Sequence, residues 1–153
     1  MKMSDENIVS LIFEDSDDLD VILNNSETQS IHTSVLEHGL FTKRFLYLDF
    51  KGEENYEIVN YILDYEFNLS IELASQEELE KLGEFEYEFL PEKVKEVNKV
   101  ISSKGYGLFS YPTTGDFYAL FIAKLENKKE LLQVELLEDE YIPHKERFIQ
   151  YFY

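Results

Sequence analysis

Residues 106–123, YGLFSYPTTGDFYALFIA, decide how the rest of the chain is read. Two runs rich in aromatic and aliphatic side chains, Tyr106–Tyr111 and 117–123, flank the segment Pro112-Thr113-Thr114-Gly115-Asp116. Strand formers on either side of turn formers predict a β-hairpin, with Gly115 supplying positive φ. Immediately upstream, Leu90, Val94, Val97 and Ile101 recur at spacings of four, three and four. That period predicts a helix over 91–103, with Pro91 near its start and Gly105 as its stop. Downstream, Asn127 and Glu130 mark a further helix start ahead of Leu131 and Leu132. The aromatic end, 148–153, reads as a last strand or a docked tail.

Working back towards the N-terminus, Ser75 and Glu78 form a capping-box pattern ahead of Leu79 and Leu82, with Gly83 as C-cap. Leu69 to Leu73 alternates apolar and polar residues, which predicts a short strand. Tyr56, Val59, Ile62 and Leu63 predict one face of a helix over 53–67. Residues 45–50, FLYLDF, predict a strand closed by Lys51-Gly52. Val35 and Leu36 belong to a short ambiguous segment ended by Gly39. Residues 24–30 read as a loop. Ser16 offers an N-cap to a helix whose first turn holds Asp17 and Asp18, and residues 7–13 read as helical. Helices interleaved with a few strands, the last two antiparallel, give an α+β fold: a small, mostly antiparallel sheet, including the 106–111/117–123 hairpin, packed with helices. No repeat or long linker interrupts the chain, so a single domain over 1–153 is expected.

The chain has 153 residues, with 32 acidic against 14 basic, for a formal charge of -18. Binding phosphates or anionic membranes needs clustered Lys or Arg, so neither direct nucleic-acid nor membrane binding is expected. The absence of Cys removes disulfides, thiolate metal sites and cysteine nucleophiles. The N-terminus lacks a signal-peptide pattern, and the longest clean apolar stretch, 117–123, is seven residues where a membrane helix needs about 20. A cytoplasmic location is expected. The charge is uneven. Residues 1–30 hold eight acids and one Lys, and residues 51–92 hold thirteen acids and two Lys. Residues 93–125 reverse the sign, with five Lys and two acids. If the two acidic segments share a face, that face attracts basic partners.

Chemistry-bearing motifs are scarce. His32, His38 and His144 have no metal-ligand spacing, so no metal and no cofactor are expected. The run Asp15-Ser16-Asp17-Asp18-Leu19-Asp20 invites comparison with a calcium loop, but counted from Asp15 it fails at positions 5, 6 and 12, which are Leu19, Asp20 and Ser26. The glycines match neither a phosphate-cradling loop nor a nucleophile elbow. No catalytic residue is assigned, and the chain is not expected to be an enzyme.

The most unusual segment is Glu84-Phe85-Glu86-Tyr87-Glu88-Phe89, in which carboxylates and aromatics alternate. Extended, it would place Glu84, Glu86 and Glu88 in one row about 6.8 Å apart, facing away from the aromatic side chains. Such a row suits a basic partner. It equally suits an edge strand or extended lead-in whose charges guard an aromatic face, and a helical course would break it. Glu84, Glu86 and Glu88 are the expected partner contacts, with Asp17, Asp18 and Asp20 as a second patch.

The stretch from Val100 to Val134, containing GYGLFSYPTTGDFYALFIAKLENKKELLQV, resembles the C-terminal part of a family of small acidic bacterial proteins known only as a domain of unknown function. The preceding YLDFKGEENYEIVNYIL is similar in pattern, and together the resemblance spans about two-thirds of the chain. In size, charge and lack of cysteine the chain also resembles immunity proteins of bacterial polymorphic toxin systems. That second resemblance implies an antitoxin that binds and blocks a basic toxin domain such as a nuclease, and it assigns no site residues. Two other functions are compatible with the residues. One is a small-molecule-binding or enzymatic domain with a pocket near the 112–116 turn, using Asp116 and the hairpin aromatics. The other is a structural or oligomeric module.

Overall fold

A computed structural model describes residues 3–13 and 16–153. Among the described residues are seven α-helices and a four-stranded antiparallel sheet, an α+β fold. In chain order the elements are α1 (Met3–Ile12), α2 (Ser16–Asn25), α3 (Ile31–Phe41), β1 (Leu46–Asp49), α4 (Glu57–Leu69), α5 (Gln76–Glu84), α6 (Leu90–Ile101), β2 (Tyr106–Tyr111), β3 (Phe117–Lys124), α7 (Lys128–Leu131) and β4 (Gln150–Tyr151). The sheet order is β1-β3-β2-β4.

The hairpin forms the sheet's centre, with Tyr106 opposite Lys124 and Tyr111 opposite Ala119. β1 pairs with the outer side of β3, and β4 with β2, so the aromatic end supplies a last strand. Alternate side chains of a strand point to opposite faces. Phe109, Tyr111, Ala119, Phe121 and Ala123 pack against α1, α2, α3 and the segment after α7. Leu108, Leu120, Ile122 and Leu48 pack against α4, α5 and α6. Both faces of the sheet are therefore buried. That explains why β2 and β3 read as nearly unbroken apolar runs rather than alternating ones.

Several expectations are corrected. Gly39 does not end a segment but sits inside α3, because the Phe45 ring lies where a Cβ would be, with Phe45 Cδ2 only 2.5 Å from that position. No strand forms over 69–73. α4 runs on to Leu69, and the chain leaves it through Ser70 in the left-handed conformation at φ 54°. The Glu66 carboxylate then accepts hydrogen bonds from the Leu73 and Ala74 N–H groups, at 2.6 and 3.2 Å, satisfying donors that strand pairing would otherwise have taken. Gly115 has no positive φ. The positive-φ glycines among the described residues are Gly52 and Gly105, and the 112–116 turn is held instead by the Thr113 hydroxyl donating to Phe117 C=O at 2.9 Å. α5 runs one residue past Gly83, with Phe85 as C-cap. The capping box at its start is present in both directions, Glu78 N–H to Ser75 Oγ at 3.1 Å and Ser75 N–H to Glu78 Oε1 at 2.9 Å. The calcium-loop comparison begins at Asp15, which lies outside the described residues, as does the Ser16 side chain.

Candidate functional site

α4 and α5 form an antiparallel helical hairpin on the outer side of the molecule. The last turn of α5 meets the first turn of α4: a Cβ at Gly83 would lie 2.8 Å from Tyr56 Cδ1. α4 carries two apolar stripes. Ile58, Tyr61, Ile62 and Tyr65 face the sheet and α6. Tyr56, Leu63 and Phe67 run along the other side, spaced by seven and four, with Asn60 between. Leu63 is 44% exposed and Phe67 85%. A surface helix on a domain ordinarily has one apolar stripe and a polar back. The end of α5 approaches the Tyr56 end of this second stripe, and among the described residues Leu63 and Phe67 stay exposed.

Between the two helices the Tyr56–Leu63 part of this stripe opens into a groove of about 710 Å³, which Phe67 does not line. Val59, Leu63, Ala74 and Leu79 give it apolar walls, and Glu66, Glu72, Glu80 and Glu84 edge it. Among the described residues no Lys, Arg or His lines it. Glu66 is committed to the loop between the helices, whereas Glu72, Glu80 and Glu84 are exposed. The nearby Lys81 is turned to Glu77 at 3.3 Å.

Of the expected contact residues, Glu84 is the one on this groove. It closes α5, while Glu86 and Glu88 follow on the connection to α6, so the three do not form a single extended row. The alternation survives in part. Glu86 and Glu88 are exposed and Phe85 and Tyr87 half-buried, but Phe89 is exposed because the chain turns there into α6. Asp17, Asp18 and Asp20 lie on α2, across the sheet from the groove. Asp18 is held within the molecule, 2.7 Å from His38 Nε2 and 3.6 Å from Arg44 Nη2. Asp17, Asp18 and Asp20 thus sit on the opposite side of the sheet from the groove carboxylates.

The connection bearing Glu86 and Glu88 is pinned from below. Lys93 at the start of α6 is 2% exposed, and its ammonium lies 3.3 Å from the 7% exposed Glu53 carboxylate. Lys93 also donates to Leu82 C=O and lies 5.8 Å from the Tyr87 ring centroid. The Tyr87 hydroxyl accepts from Glu53 N–H at 2.8 Å, and Glu53 Oε2 accepts from Ile58 N–H at 2.8 Å, capping α4. One buried ion pair so ties the ends of both groove helices to the connection. Gly52 has φ 108°, and a Cβ there would lie 2.8 Å from the Tyr87 hydroxyl.

The 112–116 turn is tied to α3 at Pro112, its 114–116 tip is exposed, and it lines neither the α4–α5 groove nor the hollow beside α6. His32 is buried, stacked on Tyr111 at 5.3 Å, and its Nε2–H donates to Pro112 C=O at 2.6 Å. Burial pushes the His32 imidazole below its ordinary pKa of 6.5, which this hydrogen bond partly offsets. A second hollow, of about 520 Å³, lies between α6 and the C-terminal residues, with Lys99, Ser102, Lys128, Tyr151 and Tyr153 around it. Its Lys128 ammonium sits 4.7 and 4.6 Å from the centroids of the two Tyr rings. Among the described residues no group of three or more His, Asp or Glu side chains is placed to hold a metal, and no helix is long and apolar enough to cross a membrane.

The sequence reading missed Leu63 and Phe67 as surface groups, and Glu66, Glu72 and Glu80 as an edge. Taking Tyr56, Val59, Ile62 and Leu63 as one face merges the two stripes of α4. The available signal was the excess of apolar residues over what one stripe can hold.

The molecule is thus an acidic α+β protein with an open apolar groove on a helical hairpin. The chain belongs to the family described as a domain of unknown function (DUF6630), whose family model matches residues 6–138. The groove and its whole hairpin fall inside that match, and β4 falls outside it. No curated protein and no solved structure matches the chain.

Proposed function

We propose that the protein binds and neutralises a basic protein partner, as an immunity protein does a toxin domain, and that it acts by occupancy rather than by catalysis. The observation that carries this reading is the α4–α5 groove, which combines apolar walls, with Tyr56 and Leu63 exposed among them, with four Glu and, among the described residues, no cation. Resemblance in size and charge to immunity proteins supports the antitoxin role, and a nuclease that grips phosphates would present the complementary basic surface. The cytoplasm suits a protein of that role.

The two parts of the groove have different tasks. Exposed ion pairs contribute about 0.2–1 kcal/mol each, so the Glu edge cannot supply most of the affinity. Burying a large apolar side chain contributes about 1.5–3 kcal/mol, so Leu63 and Tyr56, the exposed apolar residues of the groove, and whatever covers them would. The carboxylates, backed by the charge of -18, would speed encounter and reject acidic competitors.

The test is affinity capture from a lysate of the organism that makes the chain, loaded at low salt and eluted on a salt gradient. One stoichiometric basic protein eluting at moderate salt is the expected result. A smear of many basic proteins, none stoichiometric, would mean that the charge acts only as an ion exchanger, and the reading would fall. Once the partner is in hand, reversing Glu84, Glu86 and Glu88 to Lys should slow association while leaving folding intact.

A further inference from the structure

We infer that the groove receives one amphipathic α-helix rich in Lys and Arg, laid along α4 and α5 as a third helix; this rests on the basic-partner reading above. The argument turns on backbone hydrogen bonding. Both walls of the groove are helices, whose N–H and C=O groups are bonded within themselves. An extended segment lying there would find no strand edge to pair with and would depend on water and on the Asn60 and Gln76 side chains for its backbone hydrogen bonds. A helix arrives with its backbone satisfied and needs only side-chain contacts, the helix-in-groove mode of recognition.

Dimensions and chemistry agree with this occupant. α4 is 13 residues long, about 20 Å at ~1.5 Å per residue, so about four turns of a partner helix can lie along it. Tyr56, Val59 and Leu63, which line the groove from α4, offer ridges at helical spacing for apolar anchors at i, i+3 or i+4 and i+7. Glu72 lies in the loop at one end of the hairpin, Glu84 closes α5 at the other, and Glu80 stands one turn before it. Cationic residues flanking the apolar face of the incoming helix would therefore meet carboxylates near both of its ends. An acidic helix would meet repulsion throughout.

The inference is tested by titrating the isotope-labelled protein with three synthetic peptides of about 14 residues, followed by NMR. The first has Leu at helical spacing and Lys or Arg elsewhere. The second is its scramble, and the third replaces every cation with Glu. The amphipathic cationic peptide should bind at least about tenfold tighter than its scramble. Its shifts should concentrate at Val59, Asn60, Leu63, Leu79 and Gly83, and it should become helical on binding. The exposed substitution Leu63→Lys should remove that discrimination with the spectrum otherwise unchanged. Equal affinity for the two cationic peptides, or shifts centred on α1–α3, would overturn the helix-in-groove assignment while leaving the basic-partner reading standing. Binding of the acidic peptide as tight as that of the cationic ones would overturn both.

Discussion

Replacing Lys93 with Met should destabilise the protein more than any surface change, and the magnitude follows from its surroundings. Lys93 and Glu53 are 2% and 7% exposed and 3.3 Å apart. Met nearly matches Lys in volume, so the packing loss is small. What remains is a carboxylate shut away from water without its counter-charge, and Leu82 C=O without the donor Lys93 supplied. Breaking a buried ion pair from one side costs about 3–5 kcal/mol. That is a large share of a total stability of about 5–15 kcal/mol. For a chain of this size each kcal/mol lowers Tm by about 2–4 °C, so Tm should fall by roughly 6–20 °C. Adding Glu53→Gln removes the stranded charge while keeping an acceptor for Ile58 N–H. The double variant should then recover to within about 1–2 kcal/mol of the parent, the residue being mainly the orphaned Leu82 carbonyl. Urea unfolding of the parent, both single variants and the double variant gives the cycle directly. A Lys93→Met cost below about 1 kcal/mol, or single-variant costs that simply add to the double, would refute the claim that this pair acts as a buried unit.

Other outcomes follow from the same structure. Gly52→Ala should cost about 1–2 kcal/mol in urea unfolding, because an L residue at φ 108° is strained and its Cβ meets the pinned Tyr87 hydroxyl. Lowering the pH should weaken the fold through His32. Its folded pKa is depressed by burial, so its contribution is fully present above 6.5 and is lost as the pH falls from there through the folded value. His32→Asn should flatten that portion of the stability profile, and an unchanged profile would show that His32 is not the group responsible. Leu63→Ser should cost no more than about 1–2 kcal/mol of stability, since Leu63 is about half exposed, yet weaken partner binding measured by calorimetry.

The parts of the fold that were legible are those in which local chemistry and tertiary demand agree. The hairpin, the α6 periodicity and the Ser75–Glu78 capping box each carry their signal within one short continuous stretch, and each is present. Gly39 misleads because its small size answers a contact with Phe45, six residues on and off the helix, not a local break. Leu69 to Leu73 looks like a strand because alternation over five residues does not register that Glu66 will take the backbone donors of Leu73 and Ala74. The site was harder. Charge alternation drew attention to 84–89, and Glu84 does reach the groove, but Glu86 and Glu88 follow the turn into α6. Asp18 is acidic in the sequence and spoken for in the fold, since His38 and Arg44 arrive from twenty and more residues away. A groove is a property of two helices and the loop between them, and no single window of sequence contains it.

Docking of a basic protein on the α4–α5 groove is read out by hydrogen–deuterium exchange of the chain with and without the protein it captures. Slowed exchange should concentrate in residues 56–66 and 74–88, with α1 and α2 unchanged. Protection centred on α2, with the hairpin exchanging at its free rate, would contradict the claim and move the interface to the opposite side of the sheet.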